Sequence, residues 1–115
     1  MGNVAKTLLS KSPKDISIPS ISLYELEVGI AKSNNPKKRK QQLELLTSRI
    51  TVLPFAAKEA ELAAMVRAEL ENLGTPIGPY DNLIAGIALS SNATLVTHNR
   101  KEFNRVKGLL LEDWF

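Results

Sequence analysis

Three oxygen-bearing side chains sit where a hydrolytic site could use them: Glu25, Asp81 and Asn99. Asp81 lies in Gly78-Pro79-Tyr80-Asp81-Asn82-Leu83-Ile84-Ala85-Gly86, a carboxylate at the mouth of an apolar, small-residue helix. Helical spacing puts Ile84, Ala85 and Ala88 on the same face, so the acid heads the stripe that packs inward. A carboxylate is costly there unless it is capped, paired or bound to a metal. Glu25 falls near the start of a predicted helix, just past a predicted strand, and Asn99 follows another strand. Hard oxygen ligands of this kind hold Mg2+ or Mn2+, which orients a water and neutralises charge on a scissile phosphate. The chemistry they suit is metal-dependent phosphodiester hydrolysis.

Each of these residues also has a plainer role. Ser22-Leu23-Tyr24-Glu25 reads as a capping box, with Ser22 as N-cap, Glu25 reaching back to its N–H, and Ile21 and Leu26 as the flanking hydrophobic staple. Asp81, two residues after Pro79, fits a first helical turn, where the helix dipole favours an anion. Asn99 suits a turn. His98 beside it is the only histidine of the chain and reads as an exposed loop residue. The run Lys37-Lys38-Arg39-Lys40 is either a solvated helix face or a phosphate contact, and Trp114 reads as terminal packing. There is no Gly-rich phosphate loop and no Ser/His/Asp order suited to acyl transfer.

The elements that must position these groups alternate along the chain. Val4 to Leu9 reads as a short helix, Asp15 to Pro19 as a strand and Ile21 to Lys32 as a helix. Asn34-Asn35-Pro36 breaks the chain, and Pro36 opens a basic helix running to about Ser48. Ile50 to Pro54 is a second strand candidate. Ala57 to Leu73 has the clearest helical spacing, through Ala60, Ala63, Ala64, Val66, Leu70 and Leu73, with Gly74 as its stop. The Asp81 helix runs to about Ser91. Thr94 to Thr97 is a strand, Lys101 to Val106 a short helix, and Leu109 to Leu111 a last strand. Strands separated by helices predict a single α/β domain with a mainly parallel sheet, and in such sheets ligands gather at the carboxyl ends of the strands.

Composition sets the outer bounds. The 115 residues suffice for one core, and 43% hydrophobic with 23% charged residues is ordinary for a globular chain. The absence of cysteine excludes a disulfide framework and thiol chemistry, and fits a reducing cytoplasm. No apolar run is long enough for a signal peptide or a membrane span. A net charge of +3 and a pI near 9.3 permit a polyanionic partner.

Three segments carry a resemblance. Ser20-Ile21-Ser22-Leu23-Tyr24-Glu25-Leu26-Glu27-Val28-Gly29-Ile30 resembles the segment bearing the second acid of PIN-domain toxins of the VapC type. Residues 74–85, Gly-Thr-Pro-Ile-Gly-Pro-Tyr-Asp-Asn-Leu-Ile-Ala, are similar to that family's third-acid segment. Ala93-Thr94-Leu95-Val96-Thr97-His98-Asn99-Arg100-Lys101-Glu102-Phe103 resembles the strand and loop of its fourth position, an Asp or Asn. The closing run from Val106 to Trp114 also matches. The resemblance covers nearly the whole chain and implies a three-layer PIN-like fold, with helices flanking a mainly parallel sheet. It implies a Mg2+-dependent (or Mn2+-dependent) ribonuclease of a toxin–antitoxin pair, acting on RNA, neutralised by a cognate antitoxin and often homodimeric. Carried over by position, Glu25 and Asp81 are acidic metal-site residues, Asn99 is a polar helper, and Thr97 is a supporting hydroxyl.

One departure accompanies the resemblance. The family opens with a central strand ending in Asp-Thr-Asn, whose aspartate is the first metal ligand. Met1-Gly2-Asn3-Val4-Ala5 instead resembles the helix after that strand, and Asn3 and Asp15 are poor substitutes for its acid. The expectation is a chain without the first strand, its sheet divided into two halves. The second reading is then a non-catalytic PIN remnant that binds the cognate antitoxin.

Overall fold

The computed structural model describes residues 16–97 and 99–113. The readings placed on Val4–Leu9, Asn3, Asp15, His98 and Trp114, and the expectation about a first strand, lie outside the described residues.

The order of elements is β1 (Ser17–Pro19), α1 (Ser20–Ala31), α2 (Pro36–Thr47), β2 (Thr51–Leu53), α3 (Ala57–Asn72), α4 (Pro79–Ser91), β3 (Thr94–Val96), α5 (Arg100–Phe103) and β4 (Leu110–Glu112). Every predicted element within the described residues is present, with ends moved by one to three residues. Proline and glycine mark the boundaries as their backbone preferences require. Pro36 takes the first position of α2 behind the N-cap Asn35, whose Oδ1 accepts the Lys38 N–H. Gly74, at φ +74°, follows α3 and ends it in the left-handed conformation that costs glycine least.

Both strand pairs are parallel. β1 runs beside β2 with Ile18 opposite Val52, and β3 beside β4 with Leu95 opposite Leu111. Among the described residues these are two separate two-stranded sheets. Helix α4 contacts both β1 and β3, so one helix spans the two pairs and carries Asp81 at its start.

Packing centres on α3 against α4. Gly86 makes this possible, because a Cβ placed there would lie 2.7 Å from the Ala63 Cβ and 2.8 Å from the Glu59 carbonyl oxygen. Glu59 caps its own helix through Oε1, which accepts the Ala56 N–H, and ties α3 to α4 through Oε2, which accepts the Ser90 hydroxyl. The core joins Val66 and Leu70 of α3, Ile77, Ile84, Ala85 and Ala88 around α4, Leu95 of β3, and Phe103 and Val106. The α3 stripe is narrower than its sequence suggests. Ala63, Val66 and Leu70 are buried, whereas Ala60, Ala64 and Leu73 are exposed, because α4 covers only one side of the helix.

The capping box at Ser22 does not form. β1 passes directly into α1, with extended Pro19 as N-cap and no side-chain cap, so Ser22 already lies inside the first turn. Glu25 is therefore not used in capping α1.

Candidate active site

Asp81 stands in the first turn of α4, half-buried. Its neighbour across the chain is Glu102, the third residue of α5. Phe103 and Val106 sink into the core on either side of the turn after α5. Their burial fixes a helix too short to hold itself together, and turns the half-buried Glu102 toward the loop before α4. There Glu102 Oε1 accepts the Gly78 N–H. A second tie, from Arg105 Nη1 to the Pro76 carbonyl at 2.8 Å, holds the same loop. Gly78 leaves the space the two acids occupy: a Cβ on it would meet Asp81 Oδ2 at 3.4 Å and Glu102 Oε1 at 3.5 Å.

The two carboxyl groups are shifted in opposite directions. Burial pushes the Asp81 carboxyl up to about 6, and the charge of Glu102, a hydrogen bond to it, and the charge of Glu25 add to the rise. Glu102 moves the other way. The Gly78 N–H holds it below the ordinary glutamate value, helped by Asn99 and by the proton on Asp81.

Asn99 donates from Nδ2 to Glu102 Oε2 at 2.7 Å, so both oxygens of Glu102 are engaged. The Asn99 N–H is in turn held by Thr97 Oγ1 at 3.0 Å, while the Thr97 N–H donates to the Glu112 carbonyl at 3.0 Å as β3 ends. Thr97 thus anchors the loop that presents Asn99. Glu25 reaches the site from α1, exposed at its rim, where its charge is felt by Asp81 and Tyr80. The Tyr24 and Tyr80 rings, 5.8 Å apart and tilted by 57°, seat α1 against α4 beside it.

The structure thus brings Asp81 and Asn99 together through Glu102 and leaves Glu25 one step outward. Glu102 is the residue that sequence reasoning missed. Its signal was an acid three residues after Asn99 and directly before an aromatic residue. Its importance comes from Gly78 and Asp81, which are remote in sequence. Among the described residues no group of three His, Cys, Asp or Glu side chains is gathered closely enough to hold a metal ion. The donors present are nonetheless all oxygen, and the mutual repulsion that raises Asp81 beside Glu102 is relieved by a cation. A hard divalent ion binding one or two carboxylates, and completing its shell with waters and substrate phosphate, fits such a pair.

The PIN domain family matches residues 2–109. The chain is 43% identical over 107 residues to Ribonuclease VapC2 of Rickettsia felis, spanning 93% of this chain and 79% of that one. It is 44% identical over 97 residues to the tRNA(fMet)-specific endonuclease VapC of Shigella flexneri, spanning 84% and 74% respectively. DNA-bound VapBC from Salmonella typhimurium superposes with a TM-score of 0.90 at 37% identity, over 98% of this chain and 85% of the matched one.

Proposed function

The chain belongs to the PIN domain family, among its VapC relatives, and on that premise we propose that it is a metal-dependent endoribonuclease, the toxin of a toxin–antitoxin pair. The observation that carries this reading is the Asp81–Glu102 pair, with Asn99 fastening Glu102 in place. Asp81 and Glu102 would hold Mg2+ or Mn2+, with Glu25 and Asn99 at the edge of the site. The ion supplies charge neutralisation at the scissile phosphate and a more acidic bound water. The chain's own groups do the rest. The Gly78 N–H and Asn99 keep Glu102 ionised, the core grip on Phe103 keeps it aimed, and Asp81, which holds its proton to about pH 6, would have to release it for the ion to bind. Relatives named as tRNA(fMet)-specific endonucleases make initiator tRNA the substrate to try first.

The structural neighbours are VapBC complexes, which supports a cognate antitoxin as partner; a cytoplasmic homodimer completes the proposal. No helix among the described residues is long and apolar enough to cross a membrane. The test is cleavage of initiator tRNA transcript by the purified chain with Mg2+ or Mn2+ and with chelator. Cleavage is expected only with metal, and Asp81→Asn is expected to lower it at least a hundredfold. Undiminished cleavage by that variant removes the assignment.

One observation favours a second reading. Glu25 stays at the rim and no three-ligand cluster forms among the described residues, which suits a non-catalytic PIN domain that binds the antitoxin. That reading expects a stable complex with the antitoxin and no metal-dependent cleavage.

A further inference from the structure

The net positive charge of this protein equals that of one helix. Helix α2 carries Lys37, Lys38, Arg39 and Lys40 against the single carboxylate Glu44, a net +3 that equals the formal charge of the entire chain. The remaining residues balance. Lys40 is committed, since its ammonium pairs with Glu27 of α1. Lys37, Lys38 and Arg39 are exposed and, among the described residues, none has a carboxylate within ion-pair distance. Lys38 and Arg39, with Asn35 and Gln42, line a surface cavity of about 240 Å3. Asn35 Oδ1 already caps the Lys38 N–H, so the attraction of this cavity lies in its side-chain cations and amides.

Its position relative to the acids is set by α1. Residues 25 and 27 lie about 200° apart around a helix. Glu25 is accordingly felt by Asp81 and Tyr80 on α4, while Glu27 holds Lys40 on α2. Helix α1 thus has the acidic site on one side and the basic ridge on the other. Packed helices stand about 8–10 Å apart, so the ridge lies a few nucleotides away from a phosphate held at Asp81.

We propose that the cations around the first turns of α2, Lys38 and Arg39 on the face they share with Asn35 and Gln42 and Lys37 on the flank beside Lys40, form an RNA-backbone docking ridge, which holds the substrate strand beside the Asp81–Glu102 site while that site works on another phosphate. The proposal rests on the ribonuclease reading for its substrate class, and on the geometry of α2 for its location. The occupant is a polyanion by charge complementarity, and RNA phosphate matches it because the adjoining site is built for phosphodiester chemistry. Asn35 and Gln42 add neutral donors and acceptors for phosphate or ribose hydroxyl groups.

The test compares the wild-type chain with the triple variant Lys37→Gln, Lys38→Gln, Arg39→Gln. Glutamine keeps the helix propensity of the residues it replaces. A charge-matched control carries Lys58→Gln, Arg67→Gln and Lys107→Gln. Labelled initiator tRNA transcript serves for cleavage kinetics, and for anisotropy titrations in the Asp81→Asn background across a range of salt concentrations. Loss of three phosphate contacts is expected to flatten the log affinity against log salt plot by about 2. It is also expected to raise KM by on the order of tenfold or more, with kcat little changed and the control like wild type. If wild type cleaves and the ridge variant keeps its KM and its salt slope, the ridge is overturned while the ribonuclease reading stands. If nothing is cleaved but binding shows the ridge-dependent slope, the ridge stands and the ribonuclease reading falls. If the ridge variant binds RNA normally and loses only its antitoxin, the surface is a protein interface and the proposal is overturned.

Discussion

Asp81 holds its proton to about pH 6, against 3.8 for an ordinary aspartate, so it costs the fold stability once ionised. In the unfolded chain it ionises near pH 4. Between about 4 and 6 the folded chain therefore binds more protons, and stability falls as pH rises through that window. Glu102, held below the ordinary 4.5, acts in the opposite sense and only at the acid end. With Asp81 partly open to solvent, the loss is screened to about 1 kcal/mol. In urea unfolding without metal, stability should drop by about that much from pH 4.5 to 7, and Asp81→Asn should remove the drop. An identical slope in both proteins would place the strain elsewhere. A cation between the acids should offset it. At pH 7, Mn2+ at about ten times its dissociation constant should add about 1.4 kcal/mol, a rise of several degrees in Tm, in wild type and not in Asp81→Asn.

Among the elements, the contact of α3 with α4 decides whether Asp81 is presented correctly. Gly86→Ala sets a methyl against Ala63 and the Glu59 carbonyl, and should cost about 1–3 kcal/mol by chemical denaturation. Adding Ala63→Gly should restore only part of this, because the Glu59 backbone remains in place. Full additivity of the two changes would show that the helices do not meet there. The helices themselves were legible from pattern, since Pro36, Gly74 and the α3 spacing are local signals. So was the position of Asp81, a lone acid heading a small-residue face. Glu25 was legible as an acid near the site. Its capping role does not form, because α1 starts at Ser20, two residues before Ser22, and Pro19 takes the N-cap. Asn99 was legible as a polar group after β3, but its partner was not. Glu102 becomes part of a site only when α5, tied down by Phe103, meets the loop at Gly78, and no local spacing encodes a contact over 24 residues.

For the whole molecule, the division of labour is between a neutral body, one cationic helix and one acidic site, with α1 separating the last two. That layout suits a protein that must hold a polyanion and cleave it at one place. The proposed homodimer should sediment at twice 12.6 kDa, and a monomer at micromolar concentration would remove that part of the proposal. The central claim is that Glu102 completes a metal-dependent ribonuclease centre with Asp81, and it is tested most directly by the rate at which Glu102→Gln cleaves initiator tRNA in saturating Mn2+. The amide keeps the size of the side chain while removing its charge. The account predicts a fall of at least a hundredfold with circular dichroism and tRNA affinity unchanged. Cleavage at the wild-type rate would contradict it.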